Sequence, residues 1–272
     1  MTRSPTTRQP TFWKQFALLF GLGCLGIASL IPTIIDLSNG VIQNPETPAN
    51  IAQMPLPLPL LVALSLLQPA ILLAIATAIG IFFARPLGLR SHLCNALTAG
   101  KSELRAIGSE FRLAAILGAV TSLVVLGLDR AIAPWIREIQ ALNDAMPYNP
   151  MLSVAGIFYG GITEELIMRW GLMSLLAWIG WHLLQRGRGK PHSRVMWGAI
   201  AISTLLFGLG HLPATAAIVP LTPFLILRAI ALNGAGAVFG WLYWRRSLEA
   251  ASIAHATSHI VAALVIGISN LF

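Results

Sequence analysis

Seven long apolar runs divide this chain, and no other feature of the sequence limits its fold as strongly. They extend from about Phe16 to Ile35, Leu56 to Ala84, Leu113 to Leu128, Met151 to Leu184, Val195 to Leu212, Phe224 to Trp244 and Leu248 to Leu271. A helix needs about 20 apolar residues to cross a bilayer. Lipid offers the backbone no hydrogen bonds, so such runs cross as helices that pair their own amides and carbonyls. The fold expected is all-α: a polytopic transmembrane helix bundle of about seven spans, with room for an eighth in the long fourth run. Charged residues make up only 10% of the chain, against about 25% in soluble domains. No internal repeat, low-complexity tract or soluble module stands out, so residues 1–272 read as a single integral membrane domain.

Local signals refine the spans. Pro55, Pro57 and Pro59 open the second run, and Pro69 predicts a kink within it. Gly160 and Gly161 predict a bend or tilt in the fourth. The first run follows Arg3, Arg8 and Lys14, is long, and lacks a small-residue cleavage pattern, so it reads as an anchor rather than a signal peptide. Arg85 to Phe111 and Ala131 to Ile139 each predict a surface amphipathic helix, on opposite sides of the membrane.

The net charge of +8 is distributed as short basic clusters between the runs. No basic helix face interleaved with aromatics occurs, which excludes a nucleic-acid partner. With alternating spans, fourteen basic residues fall on the side of the N-terminus: Arg3, Arg8, Lys14, Arg85, Arg90, Lys101, Arg105, Arg112, Arg186, Arg188, Lys190, Arg194, Arg245 and Arg246. Only Arg130 and Arg137 fall opposite, together with Asp36, Glu46, Asp129, Glu138 and Asp144. Basic loops stay cytoplasmic, so the N-terminus is expected in the cytoplasm. Cys24 and Cys94 read as packing residues, not a disulfide.

The chemistry is carried by residues that do not belong in lipid. Glu164, Glu165, Arg169, Arg228, His211, His255 and His259 all fall within apolar runs. A charge at mid-bilayer costs about 3 kcal/mol even on the most lenient scale, so each needs a partner or a polar cavity. Glu165 and Arg169 are four apart and share a helix face. Glu164 is rotated about 100° from Glu165 and is left without that arginine. His255 and His259 share a face of the last span. His211 closes the string Phe207-Gly208-Leu209-Gly210-His211 ahead of Pro213. A carboxylate and an imidazole beside one water form a general-base pair for hydrolysis, and further imidazoles can stabilise an oxyanion. The same side chains are zinc ligands, so a divalent metal such as zinc is an open alternative. Neither His-Glu-x-x-His nor Gly-x-Ser-x-Gly occurs.

Glu164-Glu165-x-x-x-Arg169, then Phe207-x-x-x-His211, then His255-x-x-x-His259 resemble the three motifs of the CPBP family, the CAAX proteases and bacteriocin-processing or Abi-type intramembrane endopeptidases. The resemblance covers residues 151–272, which it marks as a catalytic core. It implies that Glu164 activates water with His211, that Arg169 holds Glu165, and that His255 and His259 support the oxyanion. The family usually has Asn where this chain has His259. It further implies a membrane-associated protein or peptide substrate alongside membrane lipid. A non-catalytic membrane scaffold or immunity protein of the same fold, or a proton-coupled transporter, are the competing readings.

Helical rise creates a tension. His255 lies about 13 Å along its helix from Arg246, and His211 about 25 Å from Arg194. One shared cavity therefore requires broken or tilted helices. The remaining features have plain readings: Gly156 with Gly160 and Gly236 with Gly240 as helix-packing positions, Asn233 as reaching the cavity or bonding a neighbouring helix, with packing favoured, and Arg228 as snorkelling or paired with a carboxylate. His92, His182 and His192 read as solvated.

Overall fold

The computed structural model describes residues 11–43, 57–99, 101–145 and 149–269. Arg3, Arg8, Glu46, Pro55, Leu56 and the stretch 270–272 lie outside them. The described residues form helices and no strands. Helices α1 (Phe12–Ala28) and α2 (Ile31–Gln43) carry the first span. They are followed by α3 (Leu58–Phe83), a short α4 (His92–Ala99), α5 (Lys101–Ile132) and α6 (Arg137–Ala145). Next comes α7 (Pro150–Gln185), the continuous fourth span. The chain ends through α8 (Ser193–Gly210), α9 (Leu212–Ala216), α10 (Pro223–Asn233), α11 (Gly236–Arg245) and α12 (Leu248–Ser269). Seven segments are long and apolar enough to cross a membrane, matching the seven runs.

Lipid exposure explains why these helices are apolar all round. Leu64, Leu67, Ile71, Ile75 and Phe82 stand exposed along α3, and Ile116, Val120, Leu123 and Leu128 along α5. In water such surface would be a liability; in a bilayer it is the solvent-matched face. Inside, Leu73, Leu166, Trp170, Met173, Met196, Ile200, Leu242 and Tyr243 form the core. Between TM helices close packing, not hydrophobic burial, supplies the attraction. Accordingly α12 lies along α5 with Gly118 against the backbone of Ala254, where a Cβ would collide with the carbonyl. Thr163 donates its hydroxyl to the carbonyl of Gly23 (2.8 Å), tying α7 to α1.

Several local expectations change. The long α7 does not break at Gly160 and Gly161. Instead it widens, with π-type i→i+5 winding over Gly156–Glu164 and again over Leu166–Met173. Such winding is rare and concentrates at functional sites. Asn149 caps its start, its Oδ1 accepting from the amides of Met151 (2.8 Å) and Leu152 (3.3 Å), with Pro150 at the first position. The basic stretch before the third span is not one surface helix. Its second part is the first turns of α5, which starts about a dozen residues before the apolar run does. On the other side the short helix covers Arg137–Ala145, later than the Ala131 to Ile139 segment suggests. His92 is buried, not solvated: its Nδ1 meets Glu103 at 2.8 Å and its Nε2 meets Glu110 at 3.5 Å.

Two of the spans are interrupted near the site, although the stretches from Arg194 to Gly210 and from Leu248 to His255 are unbroken helix. The chain leaves α8 at Gly210 and restarts at Leu212, so His211 sits at the joint. The sixth span breaks between Asn233 and Gly236.

Candidate active site

A cavity of about 670 Å³ enters the bundle, with Glu164, His211, His255 and His259 among its lining residues. It brings together side chains from α7, the α8–α9 joint and α12.

The two glutamates have different surroundings. Glu165 is fully buried. Its Oε2 lies 3.3 Å from Nε of Arg169, and its Oε1 lies 2.8 Å from Nδ1 of His255. Arg169, also fully buried, donates from Nη2 to the carbonyl of Gly236 (3.0 Å) at the break in the sixth span. Its guanidinium further lies 5.7 Å from the ring centroid of Phe207 and 5.9 Å from that of Phe239, cation–π distances. A Cβ at Gly236 would stand 2.9 Å from Nη2, so this position is glycine because the arginine occupies the space. Glu165 is thus a strut between Arg169 and His255. Glu164 makes no hydrogen bond among the described residues. Its carboxylate faces the cavity, with Oε2 3.9 Å from Nε2 of His255. A gap of that size suits a bridging water rather than a direct bond.

The histidine tautomers follow from their partners. A carbonyl or carboxylate only accepts, so the nitrogen facing it carries a proton. His211 Nδ1 donates to the carbonyl of Phe207 (2.8 Å), which leaves Nε2 as the lone pair of the neutral ring. His255 Nδ1 donates to Glu165, which leaves its Nε2 toward the cavity. That Nε2 lies 3.2 Å from Nε2 of His259, so the two imidazoles hold one proton between them. The three rings do not meet at a point. Phe239, His255 and His259 form a stack, with centroid separations of 4.7 and 5.0 Å. His211 stands off from it across Phe207, whose ring is 4.7 Å from His211 and 6.2 Å from His255.

This arrangement bears on a metal. His255 spends one nitrogen on Glu165 and turns the other to His259. Among the described residues no group of three or more His, Cys, Asp or Glu side chains is arranged to hold a metal ion. As they stand, these side chains do not form a ready-made metal site among the described residues.

Other positions acquire roles that the sequence pattern hid. Tyr159 and Asn233 line the cavity, so Asn233 is not merely a packing residue, although its Nδ2 also donates to the carbonyl of Ala229 (2.8 Å). In an α-helix Tyr159 and Glu164, five apart, would point in different directions; the i→i+5 winding brings them to one side. Gly156 and Gly160 are the seat of His259: a Cβ would lie 2.6 Å from its Nδ1 at the first and 2.9 Å from its Nε2 at the second. Arg228 pairs with Asp129 through two bonds of 2.7 Å, joining α10 to the end of α5.

No curated protein and no solved structure matches the chain. The stretch 147–261, which holds Glu164, Glu165, Arg169, His211, His255 and His259, matches the family model described as Type II CAAX prenyl endopeptidase Rce1-like, in agreement with the three motifs.

Proposed function

We propose that the chain is an intramembrane endopeptidase that hydrolyses a peptide bond with a water activated by Glu164 and His211. The observation that carries this reading is the carboxylate of Glu164, without a hydrogen bond among the described residues, in a cavity that it shares with the oriented imidazole of His211 and 3.9 Å from Nε2 of His255. The family of the matched stretch consists of endopeptidases, which supports the reaction class.

The roles follow from what each group can do. Glu164 takes a proton from water as the oxygen attacks the scissile carbonyl carbon. The carbonyl oxygen becomes an oxyanion, and the Nε2–H that His259 spends on His255 turns to it as the donor. The proton then passes to the amide nitrogen, the C–N bond breaks, and a carboxylate and an amine leave. His211, fixed by the Phe207 carbonyl, assists from the other wall. Glu165 and Arg169 do not touch substrate; they hold His255 in its orientation. Residues 151–272 form the catalytic core, and the spans before it complete one membrane domain.

Purified protein incubated with membrane-anchored polypeptides tests the reading. Site-specific cleavage by the native chain, lost in Glu164→Gln, is expected. Equal cleavage by Glu164→Gln excludes this mechanism.

A further inference from the structure

Where the cavity begins and ends decides how a substrate reaches Glu164. Its lining runs from His255 and Glu164 up α12 through Ala262, Ala263 and Ile266. It runs up α7 through Tyr159, Gly156 and Leu152 to Asn149. The rim is made by Asp129, Arg130, Asn143 and Asn149, at the ends of α5, α6 and α7. All four lie on the side of the membrane opposite the N-terminus. Toward the other side the cavity is closed. Beneath His255 and Glu164 lie Glu165, Arg169, Met173, Phe239, Tyr243 and Ala251, each buried at 3% exposure or less.

The loops on the closed side carry the basic clusters: Arg85 and Arg90, Arg186 to Lys190, and Arg245 with Arg246. The rim side carries Asp129, Glu138 and Asp144 against Arg130 and Arg137. Basic loops are retained in the cytoplasm. The closed end therefore faces the cytoplasm and the open end faces away from it.

Depth sets how far a substrate must reach. From Ile266 to His255 is eleven positions along α12, about 16 Å. An extended chain covers that in about five residues at 3.3 Å each, a helix in about eleven. The walls between rim and base are apolar, through Leu126, Leu152, Ala155, Ala262 and Ile266.

We infer that the substrate is a mostly uncharged polypeptide segment displayed on the non-cytoplasmic side of the membrane, which enters past Asn149 and Arg130 and reaches Glu164 at the base of the cavity. The inference rests on the endopeptidase reading for what is cleaved, and on the cavity and the charge bias for the side of entry.

Two measurements separate these parts. The first is thiol labelling of the full chain in intact cells with a membrane-impermeant maleimide. The unaltered protein is the blank, since Cys94 is buried with its thiol pushed up by burial to about 12, and Cys24 lies within the first span. Asn149→Cys and Ala263→Cys are expected to react in intact cells, and Arg188→Cys only after lysis. Ile266→Cys replaces Ala263→Cys if that variant does not accumulate. Reaction of Arg188→Cys in intact cells, with Asn149→Cys and the cavity cysteine silent until lysis, overturns the inference. The second uses sealed proteoliposomes of uniform orientation and an internally quenched ten-residue peptide of uncharged residues. Hydrolysis is expected only when the peptide is on the rim side, and to stop when Ala263→Cys is modified. Hydrolysis only from the basic-loop side overturns the inference. Hydrolysis from neither side removes the peptidase reading and with it the substrate, while the labelling still decides which face the cavity opens to.

Discussion

The chain holds two clusters of histidine and glutamate, and they differ in one physical respect. At the basic-loop end, Glu249 accepts from the hydroxyl of Ser91 (2.6 Å) and from the amides of His92 (2.9 Å) and Leu93 (3.0 Å), capping α4. His92 bridges Glu103 and Glu110, and Ser247 donates to Glu110. Each carboxylate there has a protein partner, and the cluster does not line the 670 Å³ cavity. Two turns further along the same helix α12, His255 and His259 face a cavity, and the carboxylate across it has no hydrogen bond among the described residues. The first cluster is a clasp joining α4, α5 and α12. The second has unspent valence, and that is what a reaction requires. Residue type does not distinguish them; satisfaction and access do.

The sharpest way to break the contrast is to make the same change in both. Glu164→Gln removes the proposed base and is expected to lower the cleavage rate by about 10³-fold, within the range for general-base loss, with the thermal transition nearly unchanged. Glu249→Gln is expected to do the opposite: to cost about 1–3 kcal/mol of stability through weakened charged hydrogen bonds, with turnover per folded molecule preserved. Initial rates and unfolding temperatures of the two variants in one detergent check both. If Glu249→Gln silences folded protein, the clasp is part of the site.

Within the site the same logic separates neighbours. Glu165→Gln leaves Arg169 buried without its counter-charge, a loss of about 3–5 kcal/mol for a broken buried pair. Its turnover per folded molecule should fall less than that of Glu164→Gln, because an amide still accepts from His255 and orients the ring. Rates normalised to folded protein decide it, and the reverse order exchanges the two roles.

Some of this was legible in sequence and some was not, for definite reasons. Helix periodicity is enough to pair Glu165 with Arg169 and to align His255 with His259, because both pairs are four apart. The isolation of Glu164 follows from the same geometry. Tyr159 escaped because it joins Glu164 only through i→i+5 winding, which no apolar pattern announces. Gly156 and Gly160 looked like packing positions because what packs on them is a single imidazole from α12, a hundred residues on. His92 looked solvated because it lies between spans, where burial depends on carboxylates from α5 and α12. The rim is invisible for a related reason: Asp129, Asn143 and Asn149 meet only when three helix ends are placed together.

The clasp should also respond to pH in a way the site's proposed base does not set. Burial works against the charged form of His92, but its hydrogen bonds to Glu103 and Glu110 and the charge of Glu249 outweigh that and raise its pKa above the ordinary value. A raised folded value means the stabilisation is complete below the unfolded pKa, about 6.5, and is lost as pH rises through the folded value. Thermal unfolding followed across that window should show the native chain losing stability with rising pH, and His92→Gln losing less. An unchanged slope in His92→Gln would move the sensor elsewhere.

The smallest effect is expected at His259, where the chain departs from the family pattern. Its imidazole shares a proton with His255 and fills the groove left by Gly156 and Gly160. If its task is to support the N–H that faces the oxyanion, an amide can do the same, since Asn also donates and accepts. His259→Asn should therefore retain activity within about tenfold, short of the roughly 10²–10³-fold lost with an oxyanion donor, and native and variant should be equally indifferent to a chelator. The glycine seat supplies an independent check. Gly160→Ala places a Cβ against the imidazole, so it should impair the native chain and be relieved in the His259→Asn background, where the smaller side chain leaves room. Additive losses in the double variant would mean that Gly160 serves α7 itself rather than His259. Joint loss of bound zinc and activity in His259→Asn would mean that the four side chains draw together around a metal in the working enzyme, and that the proton shared by the two imidazoles is not the oxyanion donor.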